Sequence, residues 1–279
     1  MKASKQTHPH QMKAQKILFI TSEMAPFVPE SHNAMMGRYM PQAIQELGHE
    51  IRTFTPKWGN INERRNQLHE VIRLSGMNLI IDETDHPLII KVASLQAAHM
   101  QIYFIDNDDY FMKRQIITDE NGEEYDDNGE RAIFYARGVL ETVKKLRWVP
   151  DVIHCHGWIS ALAPLYIKKA YKDEPSFCDA KVVFSVSAPD LKKDLGGNAL
   201  GCIPFKGATL NNVKDICKDQ FTHSELMKIA TKFSDGIIID TPTVDASVTE
   251  YAKSLGVPVL GYQGEDYGQA YSDFYNSIM

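Results

Sequence analysis

The chain lacks the signatures that usually announce an α/β enzyme. There is no P-loop, no GxGxxG and no serine-nucleophile motif. Glycine is missing from the whole stretch between Thr21 and Met36, where a first strand-loop-helix would normally cradle a phosphate. Cysteine is sparse: Cys155, Cys178, Cys202 and Cys217 are widely spaced and form no CxxC pair. That argues against a structural metal site or a disulfide framework and for reduced thiols in a cytosolic setting. No apolar run reaches about 18 residues, so no transmembrane helix is expected. The first fifteen residues, MKASKQTHPHQMKAQ, have no apolar core and read as a tail rather than a signal peptide. Excess positive charge is also missing. A net charge of -6 argues against the basic surface that a nucleic acid or an anionic membrane would select.

What is present is an alternation of strand-length apolar runs with helical patterns. KILFIT (16–21) is the first strand, and a helix follows to Gly48, with Pro41 expected to kink it or mark a second start. Strands are expected at 51–55, 152–156, 181–186, 236–240 and 257–260, with helices at 129–145, 160–169, 223–233 and 244–254. Residues 61–74 are charged and helix-like. NLIID and PLIIKVAS flank a turn and precede QIYFID, which predicts a hairpin at an antiparallel edge. Residues 107–128 read as an acidic surface loop and 187–211 as a mobile Gly- and Lys-rich segment. The order predicts one Rossmann-like α/β domain over 16–262, a mostly parallel sheet covered by helices on both faces. Residues 263–279, rich in tyrosine, form a C-terminal tail that is either a helix laid across the domain or a frayed end.

In such a sheet, ligands bind beyond the carboxyl ends of the strands. His154 and His156 share one side of their strand, and His156 lies at its end. His154 reads as a packed, hydrogen-bonded core residue, whereas His156 is open between substrate contact and a structural role. Metal binding would need a third ligand, and no spacing supplies one. Glu23 stands at a strand end, either as an acceptor for a sugar hydroxyl or bonded to loop backbone. Asp126, Asp127 and Asn128 precede the long helix and read first as a cap, a role compatible with a site. Ser187, Asp190, His32, Asn33 and Asp240 also fall just after strands. No cofactor is implied.

Taken together, several segments resemble bacterial glycogen synthase and plant starch synthase, the ADP-glucose-dependent glucosyltransferases of family 5. KILFITSEMAPFV is similar to the family's opening strand and its S-E-x-x-P-F. MPQAIQELGHEIRTFTPKWGNI follows L-P-x-A-L…G-H-x-V-x-x-x-x-P-x-Y, and PDVIHCHGWISALAPLY follows P-D-V-V-H-x-H-D-W-H-T-A-L-A-P-L-Y. IYFIDNDDYF, DDNGERAIFYARGVLE and FSDGIIIDTPTVDASV extend the likeness along the chain. The resemblance implies the N-terminal half of a two-domain GT-B fold. It also implies ADP-glucose and α-glucan as ligands, with His156, Glu23, Asp127 and Asn128 near donor and acceptor. The departures cluster at the site. The family's donor loop K-T-G-G-L-G-D aligns on residues 29–35, PESHNAM, so its phosphate contacts are replaced. Glu30 would sit beside a pyrophosphate, and a like charge about 4 Å away costs on the order of 4 kcal/mol at an effective dielectric near 20. Gly157 and Ile159 replace the Asp and second His of H-D-W-H, and Ser187-Ala188 replaces a His-Asn pair. The second GT-B domain is expected to be absent, so that turnover would call for a homo-oligomer or another polypeptide.

Overall fold

The computed structural model describes residues 14–279. Ten strands form one sheet, and what positions the site is the order in which they lie. β1 (Lys16–Thr21) is central, flanked by β2 (Glu50–Pro56) on one side and β7 (Val152–His156) on the other. Beyond β7 come β8 (Lys181–Val186), β9 (Gly236–Ile239) and β10 (Val259–Leu260), all parallel. Beyond β2 comes β6 (Met100–Asp106), also parallel. β5 (Thr84–Leu95) then runs antiparallel to β6 and pairs with both β3 (His69–Glu70) and β4 (Met77–Ile81). The hairpin edge expected from 78–106 is there. The chain therefore leaves β1 toward β2 and returns past it to β7, so the switch point lies between β1 and β7.

Alternation along the central strands sorts the core into two layers. Ile17, Phe19, Val152, Val183 and Ile238 point to one face, where α1 (His32–Glu46) and α7 (Tyr267–Ile278) cover them with Met36, Met40, Tyr271 and Tyr275. Leu18, Ile20, Ile153, Val182 and Ile237 point to the other, beneath α2 (Asn128–Leu146), α3 (Ala163–Lys169), α5 (His223–Lys232) and α6 (Ala246–Ser254). Each helix has a local reason to start or stop. Ser31 caps α1, its Oγ accepting the Ala34 N–H at 2.9 Å, and Gly48 (φ +94°) follows the helix end as expected. α1 runs on through Pro41 without a second start. Thr222 and Glu225 form a reciprocal capping box on α5.

Three expectations need correction. Residues 61–74 are turns and the short strand β3, not a helix. Asn62 Oδ1 takes the Arg65 N–H at 2.8 Å, and His69–Glu70 pair with the otherwise open edge of β5, so local side-chain bonding and strand pairing outbid the helix. The 187–211 segment is anchored: it carries α4 (Gly196–Cys202), and Leu191, Leu195, Ala199 and Ile203 are buried. The 160–169 helix begins only at Ala163, after a 3₁₀ turn at Trp158–Ser160. The expectation of a tail over 1–15 falls mostly outside the described residues, but Gln15 is buried, with its N–H donating to His49 Nδ1 at 3.2 Å. At the other end, residues 267–278 form the helix laid across the domain, where Tyr275 Oη meets His154 Nδ1 at 2.6 Å. His154 Nε2 also meets Ser185 Oγ at 2.6 Å, and burial pushes the imidazole down to about 3. It is the neutral core histidine that its pattern suggested.

Candidate functional site

Two glycines bring the loops after β1 and β7 together. Gly157 adopts φ +83°, and a Cβ there would lie 2.6 Å from Ser22 Cβ. That turn lets the Ser22 N–H donate to the His156 carbonyl at 3.1 Å across the switch point. Gly37 lies so close to the Glu23 carbonyl that any side chain would displace it, and this packs α1 onto the loop that follows β1.

Asp240, one residue beyond β9, is the electrostatic centre. Its Oδ2 accepts from Ser187 Oγ at 2.8 Å, meets His156 Nε2 at 2.7 Å and lies 3.7 Å from His32 Nε2. Burial raises the carboxyl's proton affinity, but hydrogen bonds from His156, His32 and Ser187 outweigh it and hold Asp240 down at about 2. The hydrogen bond to Asp240 raises His32, which is half-exposed in the first turn of α1. His156 is fully buried, and its Nδ1 has no hydrogen-bond partner among the described residues.

Beside this cluster opens a cleft of about 450 Å³, lined by Glu23, Glu30, Glu124, Asp190 and Lys192 among others. Glu23 is buried and accepts from Ser31 Oγ at 2.7 Å; Asp190 accepts from Asn33 Nδ2 at 3.0 Å. Burial, and then the charges of Glu23 and Asp240, push Asp190 up to about 6. Between its ordinary 3.8 and about 6 the folded state therefore binds more protons than the unfolded one, so stability falls as pH rises through that window. Asp190→Asn keeps an acceptor for Asn33 and removes the charge. It should stabilise the protein at pH 7 by about 2 kcal/mol and flatten the profile between pH 4 and 6, as read by urea denaturation. Equal or lower stability at pH 7 would contradict this.

Of the four residues singled out from sequence, Glu23 lines the cleft and His156 lies beneath it. Asp127 and Asn128 do not line it. Arg114 grips Asp127 with both terminal nitrogens, one at 2.7 Å from Oδ2. Asn128 donates to the Ile117 carbonyl at 3.1 Å and accepts from Arg131 Nη1 at 2.7 Å. Arg131, fully buried against Trp58 and Tyr125, donates to the Ile116 carbonyl at 3.0 Å and the Gln115 carbonyl at 2.7 Å. Asn128 and Arg131 thus hold the 115–117 wall of the cleft. Arg131 escaped the sequence reading, and its signal was a cation one turn into the helix, just before the apolar run Ala132–Ala136. Among the described residues, no group of three His, Cys, Asp or Glu is placed to hold a metal ion.

A family model described as the starch synthase catalytic domain matches residues 16–257, nearly the whole chain. The chain belongs to that family. Among curated members, glycogen synthase from Chlorobium limicola is 40% identical over 172 residues, which cover 61% of this chain and 35% of the relative. Glycogen synthase from Chlorobaculum tepidum is 30% identical over 251 residues, 86% of this chain and 51% of the relative. The chain thus spans between a third and a half of these starch synthase family members. Among solved structures, the catalytic domain of starch synthase IV from Arabidopsis thaliana, bound to ADP and acarbose, aligns with a TM-score of 0.71 at 17% identity. It covers 90% of this chain and 51% of that one, a likeness that carries the fold: one α/β half of a GT-B catalytic domain.

Proposed function

We propose that the chain serves glycogen biosynthesis as one wall of an ADP-glucose:α-glucan glucosyltransferase, and that by itself it holds glucan without transferring glucose. The domain would comprise residues 16–262, with 263–279 as an added sealing segment, in the cytoplasm. Family membership supports the pathway, and the neighbouring fold carrying ADP and acarbose supports nucleotide and glucan as ligand classes. The lining of the cleft carries the second half of the proposal. Four carboxylates, Glu23, Glu30, Glu124 and Asp190, face one cation, Lys192. Such a lining accepts hydrogen bonds from sugar hydroxyls and repels a pyrophosphate.

In this reading Glu23 takes a hydroxyl of the glucan, while Asn128 and Asp127 act through the loop wall. His156 contributes to transfer when the facing wall of a GT-B cleft is in place. Transfer depends on groups that bind the transition state more tightly than the ground state, and one wall supplies few of them. The opposing possibility is a non-catalytic protein that binds glucan, a sugar nucleotide or a partner synthase, favoured by the replaced donor loop.

The test is incubation of the purified chain with labelled ADP-glucose and glycogen, alone and with cell extract, beside electrophoresis in glycogen-containing gels. Retardation by glycogen, no label transferred by the chain alone, and transfer raised by the chain in extract are expected. Turnover by the isolated chain sinks the one-wall reading, and failure to raise transfer in extract leaves the non-catalytic reading.

A further inference from the structure

A cavity of about 730 Å³ lies across the 25–30 loop from the acidic cleft, and its charge is of opposite sign. The two cavities share Pro29 and Glu30. The first is lined by that loop, by α1, by the turn at 65–67 and, at 94–97, by the end of β5 and the turn that follows it. Its volume is in the range that small-molecule sites occupy. Two guanidinium groups line it, Arg38 and Arg65, against the single carboxylate of Glu30.

Neither arginine is fully used. Arg38 spends only Nη1, on Gln42 Oε1 at 2.6 Å and Met100 Sδ at 3.8 Å. The Arg65 side chain has no partner among the described residues, and neither do the side chains of Gln67, Ser94 and Gln96 around the rim. Gln67 is held at φ +53°, a backbone conformation that non-glycine residues adopt at a cost. The remaining wall is apolar and aromatic, with Phe27, Val28, Met35 and Tyr39. Tyr39 is 47% exposed, and the Arg38 guanidinium lies over its ring at 5.4 Å from the centroid. An exposed ring beside unsatisfied forked donors and amides matches a ligand with a flat or ring-shaped body and one anionic end.

We propose that this cavity is a binding site for a small ring-bearing organic phosphate, such as a nucleoside monophosphate or a sugar monophosphate. The phosphate would be forked by Arg65 and Arg38, and the ring would lie on Tyr39 and the apolar wall. The site does not depend on the glucan reading of the neighbouring cleft, and the experiment needs no glycogen.

Calorimetric titration of the full chain with AMP and with ribose 5-phosphate distinguishes the two sources of phosphate. Adenosine, ribose, maltose and inorganic phosphate serve as the counterparts lacking one half of the chemistry. At least one of the two organic phosphates is expected to bind, more weakly as salt rises. Arg65→Ala should weaken it by about tenfold or more, whereas Arg64→Ala, a neighbouring exposed arginine outside the cavity, should leave it unchanged. Both arginines are exposed, so both variants should fold, and matching circular dichroism spectra would establish that they do. The proposal is overturned if neither organic phosphate binds or if a neutral counterpart or inorganic phosphate binds as tightly. Equal weakening by Arg64→Ala and Arg65→Ala would overturn it too, because the attraction would then be general charge.

Discussion

Replacing Gly157 by aspartate, the residue its starch synthase relatives are expected to carry there, should destabilise this protein by about 3 kcal/mol or more. Two independent costs add at that position. The backbone is held at φ +83°, where an L side chain is strained, and a Cβ would lie 2.6 Å from Ser22 Cβ. Neither can be relieved locally, because Ser22 is tied to the His156 carbonyl by its backbone N–H and its carbonyl accepts the Trp58 indole N–H at 2.7 Å. The measurement is the urea midpoint at constant slope. Ser22→Gly in the same chain removes the clash but not the strain, so it should recover only part of the loss. A Gly157→Asp protein as stable as the parent would show that the turn relaxes readily.

The second large effect is expected at Asp240. Asp240→Ala removes the acceptor for His156, Ser187 and His32 at once and leaves a fully buried imidazole with neither nitrogen bonded. Leaving a buried hydrogen-bonding group without its partner costs about 1–3 kcal/mol. The parent protein should show the matching pH signature. A carboxyl depressed from 3.8 to about 2 contributes stability that is complete above its unfolded value and lost as pH falls toward 2. That contribution is about 2 kcal/mol, and it should be missing from the acid limb of the Asp240→Ala profile. Its window lies below that of Asp190 and its slope is opposite, so the two carboxyls can be told apart in one titration of stability. A variant with an unchanged acid limb would mean that the histidines do not hold Asp240 ionised.

How far the sequence could be read follows from what each signal depends on. The parallel strands were legible because burial on both faces leaves continuous apolar runs such as KILFIT and KVVFSV. The Gly48 stop rests on short-range chemistry and could be read in the same way. Residues 61–74 failed because their helical charge pattern competed with a strand edge supplied by residues 91–92, which no local window contains. The same limit governs the site. His156 could be placed at its strand end by counting, but its capture by Asp240, 84 residues later, could not. Asp127 and Asn128 sit at the helix start as expected, but the Asp127 side chain makes no cap hydrogen bond there and is taken by Arg114 instead. Their partners, Arg114 and Arg131, were visible only once the 107–128 loop had folded back on α2.

The docking of α7 has a kinetic consequence. It joins Tyr271, Phe274 and Tyr275 to Ile17 and Phe19, and Gln15 Nε2 to Asn276 Oδ1 across 261 residues of sequence. Contacts of such separation form late, after the entropy of closing the longest loop has been met. Until then α1 alone covers that face of the central strands and the ring of His154 lacks its Tyr271 and Tyr275 neighbours, while the opposite face is already closed by helices nearer in the chain. The half-covered sheet is therefore the state in which this protein is most exposed to aggregation and to chaperones, and the final helix sets how long that state lasts.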